Sequence, residues 1–271
     1  MPKIDIAQLL EEKAPRWAHW VPRFVVNKLR RIVHESEINH IISHYWHLSP
    51  QEFIRACFRD WQVSYSIHGL EHIPTNGRYI FVSNHPFGGM DGMMLADELL
   101  THFGCVRVMV NDLLMHVEPL APLWLPVNKH GAQSAAYAQR IDAAFMGENP
   151  ILTFPAGLCS RKIEGRIQDL DWKPTFLKKA YASHRDIVPI FVEGRLSNFF
   201  YRLDRLRRCC GIRFNIEMLW LVDEMFAQKG KHFRIIVGEP IRTADLQHLK
   251  SIREQVAFIR QKTYDLEKII R

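Results

Sequence analysis

The run Ser83-Asn84-His85-Pro86-Phe87-Gly88-Gly89-Met90-Asp91-Gly92 puts one histidine and one aspartate on either side of a tight loop. A carboxylate on one imidazole nitrogen fixes the tautomer and stabilises the imidazolium. The other nitrogen is then free to take a proton from a hydroxyl or an amine. Pro86, Gly88 and Gly89 let the chain fold back, so that Asp91 can return to His85 across the five intervening residues. That chemistry needs no serine or cysteine nucleophile. The same letters also fit a plainer arrangement, in which Asp91 caps the next helix and His85 is a hydrogen-bonded loop residue.

A second run, Ile151-Leu152-Thr153-Phe154-Pro155-Ala156-Gly157-Leu158-Cys159-Ser160-Arg161-Lys162, also leaves an apolar stretch through a Pro/Gly turn. Backbone N–H groups around Gly157, with Ser160, Arg161 and Lys162, suit an anionic headgroup or an oxyanion. A solvated turn with a basic tail reads the same way. Cys159 has no base paired with it in the sequence and is read as structural.

Rigid elements must present both runs. Strands are expected over residues 63–67, 79–83, 106–110, 151–154, 187–192 and 233–237, which are short β-branched or aromatic stretches bounded by Gly, Pro, Asn or Asp. Helices are expected over 93–103, 133–146, 175–182 and 243–270. Their alternation predicts an α/β sheet with helices on its faces, where ligands bind beyond the carboxyl ends of the strands. The two runs sit at two such ends. Residues 1–61 read as a helical extension preceding an α/β domain over 62–271. Within it, Trp17, Trp20, Val21, Phe24, Val25 and Ile32 mix with Arg16, Arg23, Lys28, Arg30 and Arg31. This is either a helix lying on anionic lipid or one packed on its own domain. A second helix is expected over 37–61, with Ile38, Ile41, Ile42 and Tyr45 on one side and His40, His44 and His47 opposite. With Glu37, those histidines have a spacing that holds a metal, and a solvated polar face has the same pattern.

The order of these pieces resembles the lysophosphatidate/glycerolipid acyltransferase family (PlsC-like). The strand–Asn84-His85…Asp91–helix block comes first, then Phe154-Pro155-Ala156-Gly157 after a strand, then Ile187-Val188-Pro189-Ile190, with Gly238-Glu239-Pro240-Ile241 as the close. The resemblance implies a mixed, largely parallel sheet flanked by helices. It also implies O-acyl transfer from a thioester, on acyl carrier protein or coenzyme A, to the hydroxyl of a lysolipid, with no metal or redox cofactor. Carried over, His85 is the general base and Asp91 orients it. Lys129, in Pro126-Val127-Asn128-Lys129-His130, takes the place of a basic acceptor-binding residue. Asn84, Gly88, Gly89, Phe154, Pro155, Gly157, Ser160 and Arg161 belong to the substrate site. Three departures stand out. His85 and Asp91 are one residue further apart than is usual, Ala156 replaces a glutamate, and Cys159 stands where an arginine would be, with Arg161 displaced by two. The chain is similar here to a divergent His-Pro-x-Gly-x-x-Asp-Gly branch, often labelled hemolysin, that includes enzymes O-acylating lyso forms of amino-acid lipids. The resemblance therefore implies a lyso-amino-acid lipid as acceptor ahead of lysophosphatidate.

Composition agrees with a folded protein that meets anions. Over 271 residues, 47% are hydrophobic and 24% charged, which excludes global disorder. Lys and Arg number 36 against 29 Asp and Glu, a net charge of +7 that favours lipid headgroups, acidic carrier proteins or nucleic acid. Arg202, Arg205, Arg207, Arg208 and Arg213 form the densest basic stretch, but Asp204 interrupts them and no stacked-aromatic RNA motif accompanies them. They read as a headgroup or carrier-protein patch, or as a solvated face, and nucleic acid is not an expected partner. Five cysteines without a C-x-x-C pair give no disulfide framework and no zinc finger, which fits a reducing compartment. The most apolar stretch, residues 113–127, is broken by His116, Glu118 and three prolines and is not a spanning helix. The expected location is the cytoplasm, peripheral on the inner face of the cell membrane. A thioesterase or lipase is the alternative enzyme, although its Gly-x-Ser-x-Gly elbow is absent. A basic membrane- or nucleic-acid-binding protein is the non-catalytic alternative.

Overall fold

A computed structural model describes residues 4–13, 18–127, 134–212 and 215–270. The strands in chain order are β1 (Ser64–His68), β2 (Tyr79–Ser83), β3 (Arg107–Asn111), β4 (Trp124–Val127), β5 (Ile151–Thr153), β6 (Arg161–Ile163), β7 (Arg166–Gln168), β8 (Asp186–Val192) and β9 (His232–Val237). Seven of them form one sheet in the order β1-β9-β8-β2-β5-β3-β4, and β6 with β7 forms a small hairpin. Every neighbouring pair in the large sheet is parallel except β8 with β9. The mixed, largely parallel sheet expected from the sequence is therefore present.

The helices are α1 (Ile6–Lys13), α2 (Arg23–Ile32), α3 (Glu35–Tyr45), α4 (Pro50–Asp60), α5 (Gly89–Phe103), α6 (Ser134–Met146), α7 (Thr175–Ser183), α8 (Asn198–Cys209), α9 (Leu221–Phe226), α10 (Ile252–Asp265) and α11 (Glu267–Ile270). Helices cover both faces of the sheet, which is why β2, β5 and β8 read as nearly unbroken apolar runs. Successive side chains of β2 divide between two cores, as a period of two requires. Tyr79 and Phe81 join Phe53, Ile54 and Phe58 of α4 and Leu95 and Leu99 of α5. Ile80 and Val82 join Phe176 and Leu177 of α7 and Val256 and Ile259 of α10.

Four differences from the sequence reading have physical causes. The helix expected over 37–61 is two helices, because Ser49 and Glu52 form a reciprocal capping box and Pro50 occupies the first turn of α4. The long C-terminal helix is likewise interrupted before Ser251, whose hydroxyl accepts the Glu254 N–H and starts α10. α5 begins at Gly89, four residues earlier than expected, so the glycine loop is shorter than its composition implied. β4 lies inside the proline-broken stretch: it is an edge strand, and its Pro126 is tolerated there.

Helices α3 and α4 bury Ile41, Ile42, Phe53, Ile54 and Phe58 in the main core, whereas α2 buries none of its residues. His40, His44 and His47 are exposed on and just after α3, and among the described residues no three His, Cys, Asp or Glu side chains converge as metal ligands.

Candidate active site

β2 lies between β5 and β8, the point at which the later strands β8 and β9 extend the sheet opposite to β3, β4 and β5. A crevice beyond the carboxyl ends is expected there. The parallel register sets Val82 beside Thr153 and Ser83 beside Ile190, so the chain leaves β2 and β5 side by side. Past Ser83, the Asn84 side chain imitates a backbone rung. Its Oδ1 accepts the Val192 N–H at 2.7 Å and its Nδ2 donates to the Val192 carbonyl at 2.9 Å. Asn84 thereby ties the strand end to β8 and fixes the chain just before His85.

His85 Nδ1 lies 2.9 Å from Asp91 Oδ2. The Phe87 N–H donates to both Asp91 oxygens, at 3.0 and 3.1 Å. Asp91 sits in the first turn of α5, where the helix dipole favours a negative charge. Full burial pushes the Asp91 carboxyl above its ordinary value, while the His85 and Phe87 hydrogen bonds pull against that rise. Gly88, with a φ of +79°, reverses the chain just before the helix. A Cβ at Gly88 would stand 2.7 Å from Leu221 Cδ2 and 3.1 Å from Cys159 Sγ, so the reversal is also a close contact. A Cβ at Gly89 would meet nothing within 4 Å. Phe87 is fixed from below by Gly194, where a Cβ would fall 1.9 Å from Phe87 Cζ.

Phe154, one residue beyond β5, stacks on the His85 ring with centroids 4.0 Å apart. The imidazole is 17% exposed, and among the described residues its Nε2 has no hydrogen-bond partner. A ring held at Nδ1 by a buried carboxyl, with its other nitrogen open to a crevice, is a general-base arrangement.

The sequence profile of an acyltransferase family matches residues 8–270. This chain belongs to that acyltransferase family. It is 43% identical to a lyso-glycine lipid O-acyltransferase of Phocaeicola vulgatus, over 97% of this chain and 95% of that protein. A lyso-glycine lipid O-acyltransferase of Bacteroides thetaiotaomicron is 40% identical, over 97% of each. The fold of this acyltransferase is similar to that of the 1-acyl-sn-glycerophosphate acyltransferase PlsC from Thermotoga maritima, with a TM-score of 0.50 and 15% identity over 90% of this chain and 92% of that one.

The structure redistributes the roles read from the second run. Arg161 is buried, and its guanidinium is taken up by partners inside the protein. Its guanidinium lies 2.9 Å from Glu217 and 3.3 Å from Asp204, donates to the Cys159 carbonyl at 2.7 Å and covers the Phe200 ring. Ser160 is buried as well: its hydroxyl donates to Asp169 at 2.6 Å and its N–H to the His85 carbonyl at 2.8 Å. The Gly157 N–H closes a turn on the Phe154 carbonyl at 2.9 Å, so it is not offered to an oxyanion. Asn84 is spent on Val192. Pro155 is buried, and its carbonyl accepts the Lys173 N–H at 3.1 Å. Phe154 and the open side of Gly89 remain at the imidazole. Lys129 lies outside the described residues. Cys159 is a buried thiol that burial pushes well above its ordinary value, a structural residue as expected. In the arginine stretch, Arg207 and Arg208 pair with buried Asp204 at 3.0 Å, while Arg202 and Arg205 are exposed and Arg213 lies outside the described residues. The sequence reading missed Asp169, which follows the β6–β7 hairpin with no motif around it.

Proposed function

We propose that this acyltransferase moves a fatty acyl group from a thioester, on acyl carrier protein or coenzyme A, to the hydroxyl of a lyso-glycine lipid. The carrying observation is the His85–Asp91 pair, with Nε2 free at the carboxyl ends of β2 and β5. Nε2 takes the proton of the acceptor hydroxyl as its oxygen attacks the thioester carbonyl. The tetrahedral intermediate collapses, the C–S bond breaks, and the imidazolium returns the proton to the leaving thiolate. Asp91 stabilises the imidazolium between these steps. First-turn N–H groups of α5, which no helical carbonyl accepts, would serve the oxyanion. The chemistry asks for no metal and no redox cofactor. The names of the 43% and 40% identical relatives and the loss of the glutamate at Ala156 both favour a glycine lipid over lysophosphatidate.

The test is turnover by the purified protein on lyso-glycine lipid and on lysophosphatidate, with each donor, read by mass spectrometry. The expected product is the O-acylated glycine lipid, formed with the higher kcat/KM. A clearly higher value for lysophosphatidate reverses the acceptor assignment.

Such an acceptor lives in a bilayer, and no described helix is long and apolar enough to cross one. Peripheral docking through α2, on the inner face of the cell membrane, answers this. Arg23, Phe24, Asn27, Lys28 and Arg31 are exposed on α2, and Trp20 beside it is 78% exposed. Trp17 lies outside the described residues. Aromatic rings with basic neighbours suit an anionic interface, each basic residue contributing ~1 kcal/mol. Trp20→Ala with Phe24→Ala should weaken sedimentation with anionic vesicles, and salt should release the wild type. Unchanged sedimentation of the double variant would place the membrane contact elsewhere.

A further inference from the structure

Behind His85 stands a second buried carboxylate. Asp169 is 1% exposed, and three donors converge on it. Its Oδ1 accepts the His85 N–H at 3.1 Å and the Ser160 hydroxyl at 2.6 Å, and its Oδ2 accepts the Trp172 indole N–H at 2.8 Å. Ser160 closes the ring by donating its own N–H to the His85 carbonyl at 2.8 Å. Both backbone polar groups of His85 are therefore held, one by Asp169 and the other by the serine that Asp169 anchors. The backbone of Asp169 is fixed in turn by α10. Its N–H donates to the Tyr264 hydroxyl at 2.7 Å, and its carbonyl accepts from Arg260 at 2.9 Å.

We infer that Asp169 is a positioning residue for acyl transfer, clamping the His85 backbone so that Nε2 stays aligned with the acceptor hydroxyl. The inference deepens the acyl-transfer reading above and rests on it. A buried carboxylate is costly unless donors satisfy it, and among the described residues no cation pairs with this one. A neutral clip would avoid that cost, but a charged acceptor makes shorter and stronger hydrogen bonds. The stiffer clamp falls on the one residue whose ring must not drift. Asp169 is also close enough to push the Asp91 carboxyl further up.

Steady-state kinetics with an acyl thioester and lyso-glycine lipid, alongside denaturant unfolding, test this in the full chain. Asp169→Ala should lower kcat on the order of 10²-fold through misplacement of the ring, with KM nearly unchanged. Asp169→Asn keeps an oxygen for the His85 N–H and the Ser160 hydroxyl and turns an amide toward Trp172. It should lose stability yet recover most of the rate. Ser160→Ala removes one arm of the ring and should lower kcat without raising KM, which decides the matter if Asp169→Ala does not fold. Wild-type kcat in Asp169→Ala, an Asn variant no faster than the Ala variant, or a loss confined to KM or stability overturns the inference. If His85→Ala is inactive while Asp169→Ala is not, only this inference falls. If the wild type transfers no acyl group to any acceptor, both fall.

Discussion

His85→Ala should abolish acyl transfer while leaving the fold intact. The imidazole is not part of the apolar core: its ring is partly open and stacks on Phe154. The backbone bonds to Asp169 and Ser160 do not depend on the side chain. Removing the ring removes the base proposed at the ends of β2 and β5. Asp91→Asn should cost less, though still on the order of 10²-fold or more. The base remains, but an amide oxygen or an amide N–H then faces Nδ1 and the tautomer is no longer enforced. The measurement is kcat for both variants, with circular dichroism to confirm folding. Turnover near the wild-type value in folded His85→Ala would remove His85 from the chemistry.

Arg161→Ala should destabilise the protein by about 3–5 kcal/mol, the usual effect of breaking a buried ion pair from one side. Asp204 and Glu217 are both buried and share Arg161 with Arg207, which lies 3.0 Å from Asp204 and 2.8 Å from Glu217. Without Arg161, two buried carboxylates depend on Arg207 and the half-exposed Arg208, and the Cys159 carbonyl loses its donor. The network joins the loop after β5 to α8 and to the 3₁₀ turn at Ile216–Trp220, which leads into α9 and Leu221 at Gly88. Its loss should loosen the wall of the site together with the fold. Urea unfolding measures the stability, and KM for the acceptor, taken where the variant is still folded, should stay near wild type. A raised KM with unchanged stability would instead make Arg161 a headgroup ligand, as its place in the sequence motif implied.

These two residues mark the limit of what the sequence carries. The pairing of His85 with Asp91 was legible because it is local: a strand end, a histidine and a glycine-rich reversal bring Asp91 back within a few residues. The sheet was legible for a similar reason. Strands buried on both faces must be short apolar runs, and β2, β5 and β8 show them nearly unbroken. Capping at Ser49 and Ser251 was also written in the sequence, as Ser-Pro-x-Glu and Ser-x-x-Glu, although the apolar periodicity running through both places concealed the breaks.

Only the tertiary structure decided which polar residues are taken up by partners inside the protein. Asn84, Ser160 and Arg161 have the residue types of a binding site, and their partners lie 108, 9 and 56 positions away. Asp169 binds the His85 N–H across 84 positions and is held by Tyr264 across 95. A side chain's role depends on whether a donor or a charge is already beside it when the chain has packed. Distances of that kind are set by the order of strands in the sheet and by the helices laid over it, and no short motif encodes them.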